Sequence, residues 1–171
     1  MTFIGMVSEH KSFENIKEIL KKNSKNNINL IHICKKSISN IKNIRFETIV
    51  IDLSLDEFKE EKLLIENLCL YAKYIIINTD INIEIPKFIK QSKASIITYG
   101  LNQKATVTIS SITESSILIY LQKNLKNIKG KNIEIGEKMI KVNEENKLKI
   151  YDVLIIYIIF LIESKPIIQQ T

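Results

Sequence analysis

At 171 residues, 45% apolar and with a net charge of +6, the chain has the size and composition of one globular domain with a sizeable core, and not of a disordered segment. Its lysines are spread along the chain and no RNA- or DNA-binding motif accompanies them, so the basic charge does not identify a nucleic-acid binder. Cys34 and Cys69 stand far apart among apolar residues without a C-x-x-C or Cys/His cluster, and are expected as buried free thiols of a reducing compartment. No basic segment followed by a long apolar core and a cleavage site opens the chain, so the expected localisation is cytoplasmic.

In chain order, the first predicted element is an apolar strand at Thr2–Val7, followed by a helix at Phe13–Lys22 with Phe13, Ile16, Ile19 and Leu20 on one face. The residues between and across them, Gly5-Met6-Val7-Ser8-Glu9-His10-Lys11-Ser12, are close to a phosphate-binding loop. Gly5, Lys11 and Ser12 fall on the pattern Gly, four free positions, Gly-Lys-Ser/Thr, and His10 stands where the second glycine belongs. In a working loop, backbone N–H groups wrap a phosphate, the lysine neutralises its outer oxygens and the hydroxyl reaches Mg²⁺. A side chain in place of that glycine obstructs both the close approach and the positive φ. The plain alternative is a strand-to-helix turn, with Lys11 a solvated charge and Ser12 an N-cap.

Further buried strands are predicted at Asn29–Cys34, Thr48–Leu53, Tyr74–Asn78 and Ser95–Tyr99, each a nearly continuous run rich in Ile and Val. Between them a helix is expected over Glu57–Tyr71, with Asp56 as its N-cap and Leu63, Leu64, Leu68 and Tyr71 on one face. A short turn is expected at Pro86–Gln91, with proline at a helix start. This βαβ series predicts a doubly wound, mostly parallel sheet in which Thr2–Val7 is central. Thr106–Ser110, Ile117–Leu121 and a hairpin of Ile133–Ile135 with Lys138–Val142 predict an antiparallel extension. The last element is an apolar helix at Val153–Ile162. It falls short of the roughly 20 residues that cross a bilayer, and reads as a helix buried inside the domain or between subunits. No linker, repeat or second-domain boundary is apparent, so residues 1–171 read as one domain.

His10 and His32 have no Cys, Asp or Glu partners at ligand spacing, and no Ser-His-Asp or Cys-His arrangement can be assembled from two histidines at unrelated positions.

The segment SIITYGLNQKATVTISSI, Ser95–Ile112, resembles the end of the central domain of the Mur ligases, the ATP-dependent amide ligases of peptidoglycan precursor synthesis. Tyr99-Gly100 and the Ala105–Ile112 strand match in order and spacing. Asn78-Thr79-Asp80 is similar to the Asn-x-Asp-Asp strand end near the family's adenine site, with Ile81 in place of the last acid. Asp52-Leu53-Ser54 is similar to the Glu-x-Ser-Ser strand end whose acid helps hold Mg²⁺, and Lys149–Ile162 resembles the helix after the family's His-Asn motif, which is itself absent. The resemblance runs collinearly over nearly the whole chain. It implies a bacterial protein and a vestigial nucleotide site of Gly5, Lys11, Ser12, Asn78 and Asp80, with Asp52 toward metal.

The departures bear on function. Val7, Ser8, Glu9 and His10 occupy the first four places of the family's Gly-Thr-x-Gly-Lys-Thr/Ser loop, so both glycines are gone and Glu9 adds negative charge. The Asn-x-x-x-Asp-His segment and the carbamylated lysine are missing, and the two flanking domains of the family are not expected. Ligation needs ATP, a carboxylate and an amine held together with their charge compensated, so ligase activity is not expected. The expectation is a pseudoenzyme without a cofactor, acting as a scaffold or partner-binding module. The C-terminal third is expected to join a second copy or a protein partner, with no nucleic acid or membrane involved. The alternative is a weak ATP–Mg²⁺ sensor or an unrecognised hydrolase. Lys11 would then meet phosphate oxygens, Ser12 and Asp52 would hold Mg²⁺, and Asn78 with Asp80 would face base or ribose.

Overall fold

A computed structural model describes residues 2–23, 28–141 and 148–164, and divides the chain into two compact units, Met1–Thr98 and Tyr99–Thr171. The first is α/β. Its elements run β1 (Thr2–Val7), α1 (His10–Asn23), β2 (Ile28–Ile33), β3 (Thr48–Ile51), a 3-10 turn (Leu55–Phe58), α2 (Lys62–Leu70), β4 (Tyr74–Asn78), α3 (Lys87–Lys90) and most of β5 (Ser95–Tyr99). The strand order is β5-β4-β3-β1-β2, with β1 parallel to both β2 and β3 and β3 parallel to β4. The expected central place of β1 is corrected in detail: it has a strand on each side but stands next to the edge strand, β2. That exposure shows in sequence-adjacent residues, since five of the six β2 residues are only half-buried whereas β3 and β4 are buried throughout.

Strand alternation sends Val7, Ile49, Ile51, Ile75 and Ile77 to one face, where they pack with Ile65, Leu68 and Cys69 of α2 and Ile89 of α3. Ile4, Met6, Val50 and Ile76 point to the other face and are equally buried. Burial on both faces is what makes these strands read as continuous apolar runs.

The expected helices shift at their starts. α1 begins at His10, so Ser12 is a buried residue of its first turn and not its cap. The single helix expected over Glu57–Tyr71 is a 3-10 turn followed by α2. Ser54 caps that turn, its hydroxyl accepting from Asp56 N–H at 3.3 Å, which moves Asp56 into the first turn. Pro86 sits at the N-cap of α3, as a residue that cannot donate a backbone hydrogen bond should.

The second unit holds β6 (Val107–Ile112), β7 (Ser116–Leu121), β8 (Leu125–Lys126), β9 (Asn132–Ile133), β10 (Gly136–Lys141) and α4 (Ile150–Ile162). β7 pairs antiparallel with β6 and β10, and β6 pairs parallel with Tyr99, the last residue of β5. The hairpin expected between Ile133–Ile135 and Lys138–Val142 does not form. β9 pairs with β8 instead, β10 with β7, and Val142 lies outside the described residues. Two-residue strands leave no periodic signal, which is why β8 escapes a sequence reading. Ten of the thirteen α4 residues are buried, including Asp152, and no helix among the described residues is long and apolar enough to cross a membrane.

Candidate functional site at the carboxyl ends of β1, β3 and β4

In parallel α/β sheets ligands settle outside the carboxyl ends of the strands, where the strand order reverses direction. In the order β5-β4-β3-β1-β2 that place lies between β1 and β3. The sequence-selected residues are found along this edge, but the local geometry differs from a phosphate loop.

Gly5 is inside β1, opposite Ile31 of β2 and Ile49 of β3, and not in a loop. A Cβ there would lie 2.7 Å from Ile33 Cδ1, 2.9 Å from Ile49 Cδ1 and 3.1 Å from Phe46 Cδ1. The glycine therefore makes room for core side chains and not for phosphate. β1 ends at Val7 and α1 starts at His10, so Ser8 and Glu9 are the whole connection. Ser8 is buried and its carbonyl lies 2.8 Å from His32 Nε2, while Phe13 stacks on the same imidazole with centroids 4.8 Å apart. Lys11 is exposed and Ser12 is buried. With Phe13 N–H already donating to the Glu9 carbonyl at 3.1 Å, the helix opens as an ordinary tight turn.

Asp52, Asn78 and Asp80 do come together. Asp52 follows β3 and its N–H donates to the Val7 carbonyl at 2.8 Å, which extends the ladder by one bond. Asn78, fully buried at the end of β4, donates from Nδ2 to Asp52 Oδ1 at 3.1 Å and accepts from Asp80 N–H at 3.0 Å. The organising residue was not singled out by the sequence. Asn82 donates from Nδ2 to the carbonyls of Leu53 (3.0 Å) and Asn78 (3.2 Å), and its Oδ1 accepts from Leu55 N–H at 3.0 Å. One side chain thus ties the loop after β3 to the loop after β4. The signal available was the spacing of Asn78 and Asn82, four residues apart, which the backbone closes as a turn with Asn82 N–H on the Asn78 carbonyl at 3.0 Å.

Beside this knot is a cleft of about 380 Å³ lined by Ser54, Leu55, Asp56, Asn82 and Glu84 among others. Its charged groups are carboxylates, and Glu9, Asp52 and Asp80 add more along the same edge, with Lys11 as the cation that the phosphate-loop pattern supplies. Such an edge repels a triphosphate unless cations bridge it. Among the described residues, no group of three or more His, Cys, Asp and Glu side chains is placed to hold a metal ion.

The two thiols differ. Cys69 is buried in α2, and burial first, then the Glu66 carboxylate, pushes it up to about 12. Cys34 is only half-buried, a correction to the expectation for both. The Ser37 hydroxyl 3.4 Å from its sulfur holds its pKa below the usual thiol range.

No protein-family model matches the chain, and no curated protein matches it in sequence.

Proposed function

We propose that the chain is a non-catalytic binding module derived from a Mur-ligase-like central domain, one that works by engaging a protein partner. The observation that carries this reading is the two-residue passage from β1 to α1. Phosphate wrapping requires a loop of several residues between strand and helix, with glycines that let the backbone curl around the anion, and here Ser8 and Glu9 are the whole connection and neither is glycine. The second reading, a nucleotide sensor, keeps one point in its favour: Asp52, Asn78 and Asp80 do meet at one edge. Their amide and backbone groups are, however, spent on one another and on the loop.

α4, which the sequence offers as a partner surface, is buried within the single chain, so a partner is to be sought among residues that stay exposed. In the C-terminal third these include Ile112, Ile135 and Met139, and a second copy remains a candidate occupant there.

Calorimetric titration with ATP and Mg²⁺ tests the reading. No saturation is expected at sub-millimolar nucleotide. A tight complex that Lys11→Ala abolishes would replace the binding module by the nucleotide sensor.

A further inference from the structure

α2 keeps Ile65, Leu68 and Cys69 in the core and turns Leu63, Leu70 and its C-cap Tyr71 to solvent, at 73, 63 and 59% exposure. A surface helix ordinarily carries polar residues on that side. Facing the C-terminal part of α2 is the segment 42–45, and the two enclose a groove of about 350 Å³. Ile44, Leu64, Leu70 and Tyr71 form its apolar floor and wall. Lys42 and Arg45 are its charged groups, and no carboxylate lines it. The Arg45 guanidinium lies 4.8 Å from the Tyr71 ring centroid, a cation–π contact that fixes both side chains at the rim. Neither Lys42 nor Arg45 is paired with a carboxylate among the described residues.

We propose that this groove docks a short acidic segment of a protein partner, whose leucine or aromatic side chains cover Leu64, Leu70 and Tyr71 while its carboxylates meet Lys42 and Arg45. The proposal rests on the binding-module reading and adds the partner's chemistry. Charge complementarity selects the occupant: two unpaired cations beside an apolar floor match an anion joined to an apolar anchor. The planar guanidinium of Arg45 keeps its fork of donors available to a carboxylate while it covers the ring. The amides of Asn43 and Asn67, which also line the groove, supply hydrogen bonds for an extended or helical backbone. A nucleic acid fits less well, because Arg45 occupies the ring face on which a base would stack and no row of cations continues along the groove.

The test is selection of a bead-displayed random peptide library, of about twelve residues, on the whole protein, followed by fluorescence anisotropy with the enriched peptides. Enriched sequences are expected to combine Asp or Glu with Leu, Phe or Trp. Their affinity is expected to fall at least about tenfold in Lys42→Gln/Arg45→Gln and in Tyr71→Ala, and to weaken with added salt. All three positions are solvent-exposed, and circular dichroism checks that the variants stay folded. No enrichment, enrichment without acidic residues, or affinity unchanged in the double variant would overturn the proposal. So would preferential binding of a thymidine oligonucleotide of similar length, or a dimer in sedimentation that Arg45→Glu disperses. Nucleotide titration is independent of all these outcomes, so a failed groove is distinguishable from a failed binding-module reading.

Discussion

Gly5 shows how one residue can look functional and be structural. Its place in a phosphate-loop pattern comes from sequence spacing alone, whereas in the fold three buried side chains, Ile33, Ile49 and Phe46, fill the space beside its Cα. Gly5→Ala is expected to lower the stability of the first unit by about 1–3 kcal/mol through overpacking, read as a lower urea midpoint. An unchanged midpoint would mean that those side chains shift freely. At Cys69 the pKa is pushed up to about 12 from an ordinary value of 9.0. Between these values the unfolded chain ionises its thiol while the folded chain does not. The stability tied to this group is therefore whole below about pH 9 and is lost as pH rises toward 12, by at most about 1.4 kcal/mol per pH unit. Urea midpoints near pH 8 and pH 10.5 should fall further in the wild type than in Cys69→Ala. Equal falls would show that the group contributes nothing to the alkaline limit.

At the scale of elements, the buried strands were the legible part. Thr2–Val7, Tyr74–Asn78 and Ser95–Tyr99 emerge with the bounds that their apolar runs imply, and in Tyr74–Asn78, buried throughout, double-sided burial leaves little room for polar residues. What was illegible depends on pairing over distance. Nothing in Ile133–Ile135 says that the partner of β9 is β8 rather than β10, and the capping role of Ser54 turns on where a 3-10 turn begins. The site was legible in the same uneven way. Asp52, Asn78 and Asp80 were singled out because their strand ends resemble motifs of the Mur ligases. Asn82, which lies in a loop of no regular period, was not. Its side chain satisfies three backbone groups, so Asn82→Ala should cost about 1–3 kcal/mol and speed amide exchange at Leu55. Exchange at Leu55 that stays as slow as in the wild type would show that water replaces the amide without loss.

For the whole molecule, the decisive element is α4, whose apolar sequence has two readings, core or interface. Ile158 is fully buried within the single chain. A lysine there must be desolvated or neutralised, which for a shift of 3–5 pKa units corresponds to roughly 4–7 kcal/mol. That is comparable to the entire stability of many domains. Ile158→Lys is therefore expected to lose its native circular dichroism outright. A folded variant that merely sediments as a smaller species than the wild type would return α4 to the interface reading.

The uncharged strands that make the parallel sheet secure also determine how the chain behaves once it opens. Thr48–Ile51 and Tyr74–Asn78 are short segments of high β-propensity without charge, proline or glycine, the kind that stack into intermolecular cross-β ribbons when freed. Arg45 and Glu47 stand just before the first and Lys73 just before the second, with Lys73 and Glu47 joined at 2.7 Å in the fold. In the unfolded chain these charges become the gatekeepers that slow such stacking. Heating, which exposes both strands at once and strengthens apolar association, should end in precipitate, whereas urea should permit return to the native state.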